Sequence, residues 1–440
     1  MAHTYLCIEQ STPLHGSASI SGAKNSVLAI MASLILTKGV SILHNVPQSS
    51  DVDQMILLLK NLGAQVKYVA EMKTLTVDTS HLQKWDVSHD IMKKMRASIL
   101  VMGPLLARFG RADIALPGGC VIGARPVDYH LINFKKMGVE IAESGHMLCA
   151  HTDALQATKI ILEYPSVGAT ENILMAATQT KGVTTIVNAA LEPEVLDLIA
   201  VLRKMGADIT ILPPASIEVK GVDELLPIEH TVLNDRLEAG ALLLAAAITG
   251  GSITLPDAPA FALELFLDKL QQMGHAVIIG DNGVGIALTA TKEPRAVSFK
   301  TGPYPSFPTD LQAPMMALQC VAEGVSVVEE TVFENRFLHI KELQKMGAEI
   351  QVEHNKAIVT GVEQLYGAQV IATDIRASTA LVLAGLVAQG TTLMSGVHHW
   401  LRGYDALEAK LKKLGAPIKM IDAPHQLFMH EHTQLTEREC

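Results

Sequence analysis

Two kinds of apolar segment alternate along the chain. The first kind is apolar nearly all round, as in S-V-L-A-I-M-A-S-L-I-L before Gly39 or A-L-L-L-A-A-A-I before Gly250. Six such runs end at Gly39, Gly110, Gly182, Gly250, Gly324 and Gly390, each followed by a β-rich stretch such as G-V-S-I-L or G-T-T-L-M. A helix with no polar face has to be buried on every side. The second kind is amphipathic and closes on a short signature: N-L-G-A-Q-V, K-M-G-V-E-I and K-M-G-A-D-I in the first half, then Q-M-G-H-A-V, K-M-G-A-E-I and K-L-G-A-P-I in the second. Their glycines, at 63, 138, 206, 274, 347 and 415, recur every 68–75 residues. Each predicts a helix ended by a left-handed cap and a strand launched from it. A unit of about seventy residues is too long for a solenoid repeat. The pattern predicts an α/β protein with three units in each of two domains, buried helices lying inside sheets.

Length agrees, since 440 residues exceed one ordinary core. A hydrophobic content of 49% with 18% charged residues describes a globular chain. The net charge of −10 disfavours nucleic acid or an anionic membrane as the main partner. An anionic small ligand would then have to be met by cations gathered locally. Five scattered cysteines (Cys7, Cys120, Cys149, Cys320, Cys440), in no metal-ligand spacing, fit free thiols in a reducing cytoplasm. The start M-A-H-T-Y-L-C-I-E-Q lacks the pattern of a signal peptide. Apolar stretches such as Ala97–Ala107 and Ala239–Ile248 are too short to cross a bilayer and read as buried helices. Beyond the last unit, residues 421–440 read as a flexible solvated tail, and His425, His430 and His432 do not make it a metal site.

Candidate chemistry concentrates in L-P-G-G-C-V-I-G-A-R-P-V-D-Y-H, residues 116–130. Glycines on either side of Cys120 allow backbone conformations closed to other residues. Arg125, five residues on, is permanently charged and shaped to grip phosphate or carboxylate. The starts of the buried helices carry the remaining candidates: Lys24 and Asn25, Arg96, Ser166-Val167-Gly168, Arg236, Asp310 and Arg376. Helix N-termini already attract anions and disfavour cations, so Lys or Arg there serves structure poorly. Four cations at equivalent positions point to a convergent anion site, which Arg125, Arg336 and Arg402 on adjoining loops could join. Asp310 is also placed to act as a helix N-cap.

The loop around Cys120 resembles the active-site loop of the UDP-N-acetylglucosamine enolpyruvyl transferases, the MurA family. S-G-A-K-N (21–25), M-R-A-S (95–98), S-V-G-A-T (166–170), F-P-T-D (307–310), F-E-N-R (333–336), D-I-R-A-S (374–378) and R-G-Y (402–404) resemble family segments in order, from about residue 5 to about 420. The resemblance implies a two-domain inside-out α/β barrel of six β-α-β-α-β-β repeats, three per domain. Residues 22–233 would form the first domain with the Cys120 loop; 1–21 and 234–420 would form the second, with crossings near 21 and 233.

The implied reaction moves the enolpyruvyl group of phosphoenolpyruvate to the 3-hydroxyl of UDP-N-acetylglucosamine and releases phosphate, with no metal or cofactor and no obligate protein partner. Cys120 is then the proton donor and the site of alkylation by fosfomycin, and Asp310 the base. Lys24 and Arg125 would hold phosphate, Arg376 and Arg402 the carboxylate side, with Arg336 in support, and these assignments can exchange. Arg125, Pro126, Val127, Asp128 and Tyr129 match the uridine-binding run, and Ser166, Val167 and Gly168 the diphosphate loop. Asn25, Arg96 and Val332 match positions near the sugar. Tyr164-Pro165 replaces the Lys that family members often carry before the serine, putting one diphosphate contact in question. Two alternatives are a shikimate-pathway enolpyruvyl transferase, which lacks the P-G-G-C loop, and a non-catalytic UDP-sugar sensor.

Overall fold

The amphipathic helices end as their glycines dictate. In the helix Ser50–Leu62, Ser49 caps the start by accepting from the Val52 amide, and Gly63 closes the end at φ 107°, its N–H donating to the Lys60 carbonyl at 3.0 Å. A side chain at that φ would be strained, which is why the position is glycine. The other five signature glycines share this left-handed conformation. The computed structural model describes residues 2–87, 96–115 and 127–424.

The chain divides into two compact units. One comprises residues 21–235 and 303–305; the other comprises 1–20, 236–302 and 306–440. Each has its own hydrophobic core, in which the segments that are apolar all round are buried together with strands and amphipathic helices. In the first unit these are the helices Lys24–Ser33, Met102–Phe109 and Val167–Ala177; in the second they are Arg236–Ile248, Gln312–Gln319 and Ile375–Val387. Every residue of Arg236–Ile248 is buried.

Two of these helices begin differently from the others. Arg96–Val101 and Thr309–Leu311 are 3-10 turns that lead into Met102–Phe109 and Gln312–Gln319. Both α segments carry proline at their third residue, Pro104 and Pro314, inside the first turn, where the missing N–H costs no intrahelical bond.

Three sheets belong to each unit. In the first unit, one sheet orders Glu229–Thr231, Val40–His44, Thr74–Asp78 and Gln65–Val69; its first pair is parallel (Glu229 opposite Ile42) and the others antiparallel. Every four-stranded sheet repeats this arrangement of one parallel and two antiparallel pairings. The remaining sheet has three strands, and Asp86 forms a parallel bridge with Asp113 at its edge. Among the described residues the six sheets are separate, and no strand order closes into a barrel.

Residues 2–9 and 418–424 are structured together. Ala2–Glu9 pairs antiparallel with Ile418–Pro424, and the Thr4 hydroxyl donates to Asp422 at 2.8 Å. Residues 421–424, expected to begin a flexible tail, are therefore strand. His425, His430 and His432 lie outside the described residues. Among the described residues, no helix is long and apolar enough to cross a membrane.

Candidate active site

In the second unit, two arginines converge on one carboxylate. Asp310 lies within the 3-10 turn Thr309–Leu311, which leads into the Gln312–Gln319 helix. Its Oδ1 accepts from Arg336 Nη2 at 2.7 Å and its Oδ2 from Arg376 Nη2 at 2.6 Å. Both guanidinium groups are buried. Burial alone would raise the Asp310 carboxyl, but the charges of Arg376 and Arg336, and their hydrogen bonds, outweigh it and hold the group far below the usual carboxylate range. The expected N-cap role is not what the structure shows, because the N-cap positions fall on Pro308 for the 3-10 turn and on Leu311 for the helix. The guanidinium forks have taken the carboxylate.

Each arginine is aimed by its own surroundings. Arg376 is the second residue of the helix Ile375–Val387, where Asp374 caps the N-terminus by accepting from the Arg376 and Ala377 amides at 2.8 and 3.0 Å. Its guanidinium carbon stands 5.0 Å from the Tyr404 ring centroid. Arg336 stacks likewise on Phe333, at 5.1 Å. Its Nε makes no hydrogen bond among the described residues, leaving a buried donor for a ligand. Arg402 is half-buried in the last turn of Val397–Gly403, where a cation suits the helix dipole. Val332 is half-buried beside the Arg336 loop.

In the first unit, Lys24 opens the Lys24–Ser33 helix, whose N-cap Ala23 supplies no side-chain bond. The cation is satisfied by Asp51, at 2.9 Å across the helix Ser50–Leu62, and both side chains are buried. Asn25 is exposed. Ser26, next along, donates to Asp197 Oδ2 at 2.6 Å, and the other oxygen of Asp197 meets His230 Nε2 at 2.9 Å. Lys204 Nζ reaches His230 Nδ1 at 3.0 Å. An ammonium can only donate, so that bond makes Nδ1 an acceptor and Nε2 the protonated nitrogen facing Asp197. This network pins the start of the Lys24 helix.

Ser166 caps Val167–Ala177, accepting from the Ala169 amide at 3.4 Å, and Val167 and Gly168 are half-buried. Glu171, one turn on, is fully buried; burial first, then the charges of Glu194 and Glu192, push its carboxyl well above the ordinary range. Tyr164 and Pro165 are also half-buried. Val127 precedes the helix Asp128–Lys136, with Asp128 exposed at its favourable N-terminus and Tyr129 half-buried. Arg96 begins its 3-10 turn, and its side chain is not described. Arg236 is buried and reaches the Ala262 carbonyl at 3.5 Å. Cys120, Arg125 and Pro126 lie outside the described residues. Among the described residues, no group of three or more His, Cys, Asp or Glu could hold a metal ion.

Sequence reasoning passed over Asp51, Asp197, Thr309, Glu330 and Tyr404. Thr309, Asp374 and Tyr404 stand inside the motifs F-P-T-D, D-I-R-A-S and R-G-Y, whose signal is the neighbouring charge. The others carry no local signal, because their partners come from distant segments.

Comparison with known proteins finds 1-carboxyvinyltransferases whose names give different acceptors. A family model described as EPSP synthase (3-phosphoshikimate 1-carboxyvinyltransferase) matches residues 8–411. A UDP-N-acetylglucosamine 1-carboxyvinyltransferase 1 of Caldanaerobacter subterraneus is 47% identical, over 94% of this chain and 99% of that one. A UDP-N-acetylglucosamine 1-carboxyvinyltransferase of Acinetobacter baylyi is also 47% identical, over 93% and 97%. Among solved structures, the enolpyruvyl transferase NikO of Streptomyces tendae superposes with a TM-score of 0.87 at 26% identity, covering 96% of this chain and all of that one. An EPSP synthase from Acinetobacter baumannii shares the fold, with a TM-score of 0.74 at 16% identity over 95% and 100%.

Proposed function

The chain belongs to the EPSP synthase family of 1-carboxyvinyltransferases, and from that premise we infer how its own residues carry the reaction. It transfers the enolpyruvyl group of phosphoenolpyruvate to UDP-N-acetylglucosamine in peptidoglycan precursor synthesis. The sugar 3-hydroxyl is the acceptor, and phosphate leaves. The sequence identity to the curated relatives, held over nearly the whole chain, carries this reading. The finer architecture proposed is the inside-out α/β barrel of six repeats, supported by five four-stranded sheets that share one pairing pattern and by six buried helices. A cytoplasmic site of action fits the free-thiol cysteine pattern and the substrates.

Addition of the sugar oxygen to the central carbon of phosphoenolpyruvate needs a proton placed on the methylene carbon and another taken from the hydroxyl. Cys120 supplies the first, and Asp310 takes the second. In the form described here Asp310 is a weak base, because two guanidinium groups hold its charge. The carboxylate of phosphoenolpyruvate offers the same guanidinium groups an equivalent partner. Once Arg376 and Arg336 turn to it, burial dominates at Asp310 and its proton affinity rises toward that of a working base. Elimination then removes a proton from the new methyl group, expels phosphate and restores the double bond.

Lys24 and Arg125 are assigned to phosphate, and Arg376, Arg402 and Arg336 to the carboxylate side. UDP falls to Arg125, Pro126, Val127, Asp128 and Tyr129 with the Ser166-Val167-Gly168 loop, and the sugar to Asn25, Arg96 and Val332. Capping already occupies the Ser166 oxygen, so its loop offers backbone amides of a helix N-terminus to the diphosphate.

The test is fosfomycin treatment followed by mass mapping. Cys120 is expected to carry the label as turnover is lost. Cys120→Asp keeps a proton donor but removes the soft nucleophile, so it should turn over and escape labelling. A label elsewhere, or turnover that persists with Cys120 fully modified, would contradict the assignment.

A further inference from the structure

Glu330 and Thr309 lie outside every role assigned above, yet they complete a closed circuit around Arg336. Glu330 is buried at the end of the strand Val325–Glu329. Its backbone is held there by Asn355, whose carbonyl accepts from the Glu330 amide at 2.9 Å. The carboxylate divides its work. Oε1 accepts from the Val332 and Phe333 amides at 2.8 and 3.1 Å, and Oε2 accepts from the Thr309 hydroxyl at 2.9 Å. Thr309 in turn accepts from Arg336 Nη1 at 3.3 Å. The circuit closes through Phe333, whose ring lies under the same guanidinium.

The direction of every link is fixed by chemistry. A guanidinium can only donate and an ionised carboxylate can only accept, while a hydroxyl has one proton to give. The Thr309 proton must therefore point at Glu330, leaving its lone pairs to Arg336. With Nη1 anchored in this way, the rigid fork presents Nη2 to Asp310. We propose that Glu330 and Thr309 are positioning residues that aim Arg336 at Asp310, and through it tune the group assigned as base. The inference rests on that assignment of Asp310 and adds to it two residues that touch no reacting atom. Among the described residues, the charged groups facing Asp310 are Arg336 and Arg376. Beyond them stand Glu330 through the relay, and His339 and Asp374 near Arg336 and Arg376.

Two variants interrupt the relay in different ways. Thr309→Val keeps the shape and deletes the hydroxyl. Glu330→Gln keeps an oxygen for the two loop amides, but turns an NH2 donor toward a hydroxyl that needs an acceptor. Thr309→Ser restores the link. The experiment measures kcat/KM against pH for the full-length wild type and the three variants, with phosphoenolpyruvate and UDP-N-acetylglucosamine, beside thermal melts. The kcat/KM profile reports the free enzyme, in which the Arg336 contact is formed.

Thr309→Val and Glu330→Gln are expected to lose about tenfold or more in kcat/KM. That loss should keep the same size across the working pH range, because Asp310, held far below the usual carboxylate range, does not titrate within it. Thr309→Ser should overlay the wild type. A Thr309→Val profile matching wild type, or a Thr309→Ser profile as damaged as that of valine, would overturn the relay. Asp310→Asn, run alongside, separates the two levels. If it is inactive while Thr309→Val is unaffected, only the relay falls; if it turns over normally, the base assignment falls and takes the relay with it.

Discussion

At the scale of single residues, several of the charges that sequence motifs brought forward hold one another. Asp310, Arg336 and Arg376 were legible because each stands in a recognisable segment. Their mutual grip was not, since it joins residues 26 and 66 positions apart. Asp51 escaped notice for the same reason: nothing near it in sequence announces a partner 27 residues away. Asp310→Asn should bind UDP-N-acetylglucosamine and lose roughly 10²–10⁴ in turnover, the range for removal of a general base. It should also lose on the order of 1–3 kcal/mol of stability, since two buried guanidinium groups surrender their counter-charge. Turnover near wild type in the purified variant would remove Asp310 from the mechanism.

A second residue-scale prediction concerns acid. His275 is buried, its Nδ1 accepts from the Thr291 amide at 3.2 Å, and burial lowers its pKa from 6.5 to about 4. A histidine depressed in the folded state contributes full stability above its unfolded pKa. As pH falls from 6.5 toward 4, the unfolded chain takes up the proton first and stability declines, by about 3 kcal/mol for this group. His339, buried and lowered to about 4 by burial first, shares the window. Asp310 acts only lower down, because a depressed carboxyl loses its contribution below its ordinary 3.8. His275→Asn keeps an acceptor for Thr291 and cannot titrate. Denaturant titrations at pH 7, 5.5 and 4.5 should show the variant losing less stability than wild type; parallel losses would contradict the assignment.

At the scale of elements, the apolar runs and glycine signatures forecast which helices are buried and where they end. What they could not forecast was the 3-10 start of two buried helices, or the strand at 421–424. The first depends on how Pro104 and Pro314 sit in their turns, and the second on pairing with the opposite end of the chain. Gly103 shows packing overriding local preference. In an isolated helix, Gly to Ala gains about 1 kcal/mol. Here a Cβ on Gly103 would stand 2.2 Å from the Asn172 carbonyl oxygen, and its N–H already donates to Asn172 Oδ1 at 2.6 Å. Backbone cannot yield cheaply, so Gly103→Ala should destabilise by about 1–3 kcal/mol. A rise in the denaturant midpoint would show that the two helices have room to part.

At the scale of the whole molecule, two units each carry a core, and the residues assigned to the reaction are distributed over both: Lys24 and Ser166 in one, Asp310, Arg336, Arg376 and Arg402 in the other. A net charge of −10 leaves anion binding to these local cations rather than to the general field. Specificity is the property on which the account stands or falls, because the family model and the curated relatives name different acceptors for the same enolpyruvyl group. Phosphate release measured with phosphoenolpyruvate and UDP-N-acetylglucosamine, beside the same assay with shikimate 3-phosphate, decides between them directly. Sustained release with the UDP-sugar alone is the predicted result. Release with shikimate 3-phosphate instead, or with neither acceptor, would contradict it.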